Sequence, residues 1–150
     1  MSISFYGKKK RKRIGKCLAT MGYGKFNFIR ATFQSCWDPK FGLGYVAWAD
    51  LKWSDANPPF PDSMLRLFTQ YDCEGELSNA ELKAIVKELE GNETFMQRKP
   101  FPELTRPMKW NPKDSWDNKW MNDPEWRDAA QKFFEMLKDC EKRGCGIEWF

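Results

Sequence analysis

Residues 78–91 read Ser78-Asn79-Ala80-Glu81-Leu82-Lys83-Ala84-Ile85-Val86-Lys87-Glu88-Leu89-Glu90-Gly91 and carry a complete set of helix signals. Ser78 and Glu81 have the spacing of a capping box, in which each side chain satisfies a backbone N–H at the start of the helix. Gly91 suits the position that follows the last helical residue. The apolar residues recur at helical spacing and predict one buried face: Leu82, Ile85, Val86 and Leu89.

Helical spacing also occurs on both sides of this segment. Residues 25–37 predict a helix whose buried face comprises Phe26, Ile29, Phe33 and Cys36. Residues 62–71 predict a second helix, with Met64, Leu65, Phe68 and Tyr71 facing inward. A last helix follows Asp123 and Pro124 and ends before Gly144; its apolar stripe comprises Trp126, Ala130, Phe133, Met136 or Leu137, and Cys140.

Strands are predicted only at the two ends of the chain. Residues 3–6 alternate weakly between apolar and polar, and residues 146–150 form a short apolar segment that is expected to pair with them. The predicted fold is α+β but mostly α, with three to five helices, a small terminal β element and a long Pro/Trp-rich loop. It forms a single domain over residues 1–150, in which 1–16 is a basic N-terminal segment and 92–122 is the loop.

Composition excludes several classes of protein. The five cysteines are odd in number, form no C-x-x-C pair and have no histidine beside them, so neither a disulfide framework nor a Cys/His zinc site is expected, and no cofactor is predicted. No apolar run is long enough to span a membrane, and none follows the basic segment as in a secretory signal. We therefore expect no membrane partner and a cytoplasmic location in a bacterium or infected cell, or the nucleus in a eukaryotic host.

Positive charge is concentrated in one short segment. Seven of the 25 basic residues fall within residues 8–16: Lys8, Lys9, Lys10, Arg11, Lys12, Arg13 and Lys16. Without them, 18 basic residues face 21 acidic ones, so the rest of the chain is slightly acidic. Such a cluster binds phosphates by releasing counterions, with strong salt dependence and little sequence preference. The segment predicts a nucleic-acid or nucleotide site; a nuclear localisation signal or a solubilising, partly disordered arm are the alternatives.

The Pro/Trp-rich loop is a second candidate surface. Residues 92–122 contain prolines at four positions and show no helical or strand period. Trp110, Trp116 and Trp120 alternate there with charged residues of both signs. Such rings stack on bases or anchor a protein partner, and the alternative is that they fold back over the core.

The turn at residues 72–76 is acidic and invites comparison with a calcium-binding loop. Placing Gly75 at position 6 of an EF-hand puts Asp72 at position 3, Glu74 at position 5 and Glu81 at position 12. Gln70 then occupies position 1, where the ion needs a carboxylate. We therefore favour a tight turn between helices, with Gly75 at a positive φ angle, over a metal site at Asp72, Glu74 and Glu81.

Three segments resemble a family of small bacterial and phage proteins that has no established activity. Residues 22–30 end in Phe-x-x-Ile-Arg, residues 70–78 hold the Asp-Cys-Glu-Gly turn before a Ser-capped helix, and residues 140–150 join the last helix to a short hydrophobic tail. Gln70 and Tyr71 stand where that family has His and Ser, so chemistry that depends on this His is not implied here. The resemblance implies a bacterial or phage origin.

These observations favour a protein that works by binding rather than by catalysis. The first hypothesis is a non-enzymatic module that recognises a phosphate-rich ligand, with the basic segment attracting it and the Trp rings stacking on it. The second is a phage-encoded module that inhibits a bacterial defence system by binding a protein partner, which the resemblance to phage proteins suggests. The third is a small metal-dependent hydrolase that uses the acidic turn.

Overall fold

The computed structural model describes residues 2–34, 36–37, 60–71, 73–92 and 128–150, and we describe only these. They form four strands and four helices. In chain order these are β1 (Ser2–Lys9), β2 (Lys12–Gly22), α1 (Tyr23–Gln34), α2 (Asp62–Phe68), β3 (Gly75–Leu77), α3 (Asn79–Glu90), α4 (Ala129–Lys142) and β4 (Gly146–Trp149). The strands form one sheet in the order β2-β1-β4-β3, and every neighbouring pair is antiparallel.

The N-terminal segment corrects the predicted fold class. The fold is α+β with a four-stranded sheet, so the prediction of a mostly α protein with a small terminal β element is wrong. The difference arises at residues 2–22, which form a β-hairpin that includes the whole basic segment. β2 lies at the edge of the sheet and most of its side chains are exposed, so its sequence need not alternate between apolar and polar residues.

The predicted pairing of the two chain ends is confirmed. β1 and β4 are neighbours, and their register places Phe5 opposite Trp149 and Gly7 opposite Ile147. Beyond this ladder, the backbones of Ser4 and Phe150 exchange two hydrogen bonds, of 3.0 and 3.3 Å. The N-terminal hairpin is thus attached to the C-terminal strand over the length of that strand.

The core lies between the inner face of the sheet and the helices. Phe5 is at its centre, with ring centroids 5.2 Å from Phe26 on α1, 5.4 Å from Phe133 on α4 and 5.8 Å from Trp149 on β4. All four rings are buried. Each aromatic ring buries about 150–250 Å², so this cluster accounts for much of the hydrophobic stabilisation.

The ends of the helices follow the predicted signals in two cases. Ser78 Oγ accepts a hydrogen bond from the Glu81 backbone N–H, and the Glu81 carboxylate accepts one from the Ser78 N–H, which confirms the capping box of α3. α4 is followed by Gly144 at a φ of 70°, a left-handed conformation that glycine adopts without strain.

The predicted inward position of Tyr71 is wrong. Its side chain is 59% exposed, because α2 ends at Phe68.

In the part of the chain that the structure describes, no helix has the length and apolar character that a membrane span requires.

Candidate functional site

The turn of the basic hairpin has an unfavourable backbone conformation. It consists of Lys10 and Arg11, with φ angles of 50° and 64°, and follows the last ladder pair, Lys9 and Lys12. Two-residue turns with positive φ at both positions favour sequences such as Asn-Gly. For other L-residues the left-handed conformation costs about 1–2 kcal/mol per residue. Two cations therefore occupy positions at which the fold would be more stable with other residues.

Two of the seven basic residues form ion pairs within the fold. Lys8 and Arg13 lie opposite each other in the β1–β2 ladder. Lys8 Nζ is 2.5 Å from Glu76 and 3.5 Å from Glu148, and Arg13 Nε is 3.1 Å from Glu148. The hydrogen bond to Glu76 is the main cause of a raised pKa at Lys8. Lys8 and Arg13 were predicted phosphate ligands, but their charges are compensated by these carboxylates.

Arg13 is also held by aromatic rings. Its guanidinium lies 4.2 Å from the ring centroid of Tyr6 and 4.3 Å from that of Phe150. The two rings are nearly parallel, with centroids 5.5 Å apart. A guanidinium over aromatic faces gains cation–π stabilisation. Arg13 therefore joins the hairpin to Phe150 at the end of β4.

The other five basic residues remain exposed. They are Lys9, Lys10, Arg11, Lys12 and Lys16, and within the described ranges none of them forms an ion pair. The first acidic residue of the sequence is Asp38, so the hairpin contains no carboxylate of its own. Among the described residues β2 is an edge strand, and one of its sides has no neighbouring strand there. The uncompensated charge is thus concentrated on the hairpin turn and along the free edge of β2.

A groove of about 460 Å³ lies beside the hairpin turn. One wall is formed by residues 8–11 and the other by residues near the start of α3 and the end of α4, including Ser78 and Gly144. Glu76 and Glu81 also line it. Both carboxylates are ion-paired, Glu76 with Lys8 and Glu81 with Arg66, so the hairpin wall of the groove carries the uncompensated charge of Lys9, Lys10 and Arg11.

The acidic turn is organised by Gln70. The Gln70 side-chain N–H groups donate to the carbonyl oxygens of Arg66 and Glu76, and its Oε1 accepts from the Glu76 N–H; all three distances are 2.8 Å. Gln70 thus bonds both backbone groups of Glu76 in β3, as a neighbouring strand would do. Gln70, which occupies position 1 in the calcium-loop alignment, therefore has a structural role.

Replacing Gln70 by Ala is expected to lower the free energy of unfolding by about 1–3 kcal/mol, because the backbone groups of Glu76 lose their partners. Urea denaturation measures the change. Gln131→Ala is the matched control, since Gln131 is exposed on α4; this substitution should change stability by less than about 0.5 kcal/mol. Equal effects of the two variants would contradict the role of Gln70.

Three segments that are distant in sequence meet at this turn. Arg30, which is fully buried and lies over the ring of Phe26, donates to the carbonyl oxygen of Gln70 at 2.7 Å. Trp149 donates through Nε1 to the carbonyl oxygen of Tyr71 at 3.1 Å. The turn is therefore a junction at which α1, α2 and β4 are fixed to one another.

Two of the three predicted metal ligands can be placed. Glu81 accepts hydrogen bonds from Ser78 N–H and from Arg66 Nε at 2.8 Å; burial raises its pKa, but these partners outweigh burial and leave the pKa below its usual value. Glu74 is exposed in the turn, and Asp72 lies outside the described residues. Within the described ranges, no group of three His, Cys, Asp or Glu side chains is arranged to hold a metal ion.

Gly75 does not have the predicted positive φ angle. Among the described glycines only Gly15 and Gly144 do, whereas Gly75 belongs to β3. Its close neighbour is the indole ring of Trp149, the residue opposite it in the β3–β4 ladder. The reason for glycine at this position is therefore steric.

The five cysteines are free thiols and differ in exposure. Burial raises the pKa of Cys140 to about 11, so this thiol is unreactive at neutral pH. Cys17 is exposed on β2, and its hydrogen bond with Thr20 is the main cause of a lowered pKa. No cysteine is assigned a role in the binding surface.

Trp110, Trp116 and Trp120 lie outside the described residues, and their stacking role stays a prediction.

The sequence did not indicate which carboxylates neutralise Lys8 and Arg13; these are Glu76 and Glu148. It also gave no indication of the hairpin turn, because Lys10-Arg11 lacks the residues that mark a two-residue turn. Charge density did locate the other five cations.

No protein-family model, curated protein or solved structure matches this chain.

Proposed function

We propose that this protein is a non-enzymatic module that binds a phosphate-rich ligand, a nucleic acid or a nucleotide, through the basic hairpin. The observation that carries the proposal is the turn, where Lys10 and Arg11 hold positive φ angles. Backbone strain of this kind persists where the residue has another use, and clusters at ligand-binding sites. Cations at both strained positions are consistent with selection for charge at the turn.

The environment of the turn supports the same function. Lys9, Lys12 and Lys16 extend the positive surface from the turn along β2, and the acidic residues nearby are engaged by Lys8, Arg13 and Arg66. Lysine binds phosphate as a point charge, whereas arginine offers a planar pair of donors. Both suit a ligand with several phosphates in a row. The defence-inhibitor and hydrolase hypotheses stay predictions from the sequence.

The proposal is tested by the salt dependence of binding. Fluorescence anisotropy with a labelled oligonucleotide should show affinity that falls linearly on a log–log plot against salt concentration. Five phosphate contacts predict a slope of about −3.5 to −4.5, depending on whether the ligand is single- or double-stranded. Absence of binding at low salt, or a slope near zero, would contradict the proposal.

Replacing the two turn residues distinguishes the effect of their charge on binding from their effect on the stability of the fold. The double variant Lys10→Asn, Arg11→Gly places a preferred turn sequence at these two positions, so the free energy of unfolding should rise by about 1–2 kcal/mol. Loss of two cations should at the same time weaken oligonucleotide binding by roughly tenfold or more. Urea denaturation and anisotropy on the same preparation measure the two effects. A less stable variant, or one that binds normally, would show that the turn is not kept for its charge.

A further inference from the structure

We infer that the phosphate-rich ligand is double-stranded DNA and that the turn of the basic hairpin enters its major groove. This inference rests on the proposed function and specifies its ligand. The observations that support it are the shape of the hairpin, the placement of its five exposed cations and the kinds of side chain that accompany them.

The hairpin extends beyond the rest of the sheet by one ladder pair and its turn. The ladder between β1 and β4 ends at the pair Lys8–Gly146, whereas the ladder between β1 and β2 continues to Lys9–Lys12 and is followed by the turn. Paired strands lie about 4.8 Å apart, and the side chains on both add to this width. The major groove, about 12 Å wide, admits a two-stranded ribbon, whereas the minor groove, about 6 Å wide, takes one only when the duplex is deformed.

The cations are arranged to contact both the groove and its borders. Lys10 and Arg11 form the turn itself, Lys9 and Lys12 form the adjacent ladder pair, and Lys16 lies further along the free edge of β2. A turn that enters the groove places Arg11 near base edges, where a guanidinium pairs with guanine. The flanking lysines then lie near the phosphates on either side, which set the position of the protein on the duplex.

The same surface is poorly suited to a single strand. Proteins that bind single strands combine basic residues with exposed rings on which the bases stack. Among the described residues the large apolar side chains that are exposed are Ile14, Tyr71 and Phe150. Ile14, on the hairpin, has no ring. Tyr71 and Phe150 line a different groove together with Glu74. Phe150 also stacks on Tyr6 and Arg13 of the hairpin, but it lies opposite Ser4, at the end of β4 that is remote from the turn.

Duplex RNA is also disfavoured by this geometry. The major groove of an A-form helix is deep and narrow, and side chains do not reach its base edges. A hairpin that enters the groove should therefore distinguish a DNA duplex from an RNA duplex of the same sequence. A protein that contacts only the phosphates would bind the two duplexes equally well.

The test is a set of anisotropy titrations of the full chain at one low salt concentration. The probes are a DNA duplex of about 20 base pairs, which offers two helical turns, its two separate strands and the RNA duplex of the same sequence. We expect the DNA duplex to bind at least about tenfold more tightly than each of the others. Equal or tighter binding of a single strand, or equal binding of the RNA duplex, would overturn the inference while leaving the proposed function in place. Absence of salt-dependent binding to every probe, and to a nucleoside triphosphate, would overturn the proposed function itself.

A modified duplex tests the choice of groove. The C5 position of pyrimidines projects into the major groove, so bulky substituents there should block the hairpin turn. We expect such a duplex to bind about tenfold more weakly than the unmodified duplex. Unchanged affinity would exclude entry into the major groove.

Discussion

A variant in which Lys9, Lys12 and Lys16 are replaced by Thr and Arg11 by Gly is expected to bind DNA roughly 10³-fold more weakly than the native protein at about 0.1 M salt. Each phosphate contact contributes about 0.9 to the slope of log affinity against log salt, so near this concentration each lost contact costs almost tenfold. The three lysine contacts together give close to the stated loss, and the loss of Arg11 from the base edges adds to it. Thr favours strands and Gly suits the positive φ of Arg11, so the hairpin should form normally.

A control variant removes the same net charge from another part of the surface. Lys83 and Lys87 on α3 and Lys132 and Lys142 on α4 are exposed, and replacing all four by Gln preserves helix propensity. We expect this variant to lose less than about tenfold in affinity, because only long-range attraction is reduced. Anisotropy at matched salt compares the two variants, and urea denaturation checks that both are folded. Similar losses in the two would mean that net charge, and not the hairpin, determines binding.

The helices could be predicted because each has one buried face. In α1 the residues Phe26, Ile29 and Phe33 are fully buried, and they recur at the period that the sequence shows. The capping box of α3 is a local signal, since its two partners are three residues apart. Both kinds of information lie within a few residues of the element that they specify.

The hairpin could not be predicted from the same kind of signal. Most residues of β2 are exposed, so burial imposes little pattern on the strand, and Lys10-Arg11 lacks the residues that mark a two-residue turn. Its structure depends instead on pairing between β1 and β4, at opposite ends of the chain. A segment with such high charge density is also typical of a disordered arm, which was one of the sequence-based alternatives.

The composition of the site was predicted in part. Charge density identified all five exposed cations, but it gave no reason to separate them from Lys8 and Arg13. That separation depends on Glu76, which is 68 residues from Lys8, and on Glu148, which is 135 residues from Arg13. Ion pairs across such distances follow from the strand order β2-β1-β4-β3, which local patterns do not specify.

The junction at the acidic turn gives the clearest prediction for the stability of the fold. Gly75→Ala is expected to lower the free energy of unfolding by about 2–3 kcal/mol through overpacking. A Cβ at this position would lie 2.6 Å from Cε2 of Trp149, closer still to Cζ2 of the same ring, and 2.7 Å from Oε1 of Gln70. Gly91→Ala is the control: its φ is −75° and its nearest neighbour, the Glu88 carbonyl oxygen, is 3.6 Å away. It should be neutral or stabilising by up to about 1 kcal/mol.

A double-mutant cycle shows whether the Trp149 ring is the cause. Trp149→Phe alone should destabilise the protein by about 1–3 kcal/mol, since the carbonyl oxygen of Tyr71 loses the indole N–H. In this background the ring is smaller, so Gly75→Ala should cost only about 1 kcal/mol, with Gln70 Oε1 accounting for the remainder. The coupling between the two substitutions is then about 1–2 kcal/mol, which urea denaturation of the four proteins resolves. If Gly75→Ala costs the same in both backgrounds, the requirement for glycine lies in the backbone of β3, and contact with the indole ring is not its cause.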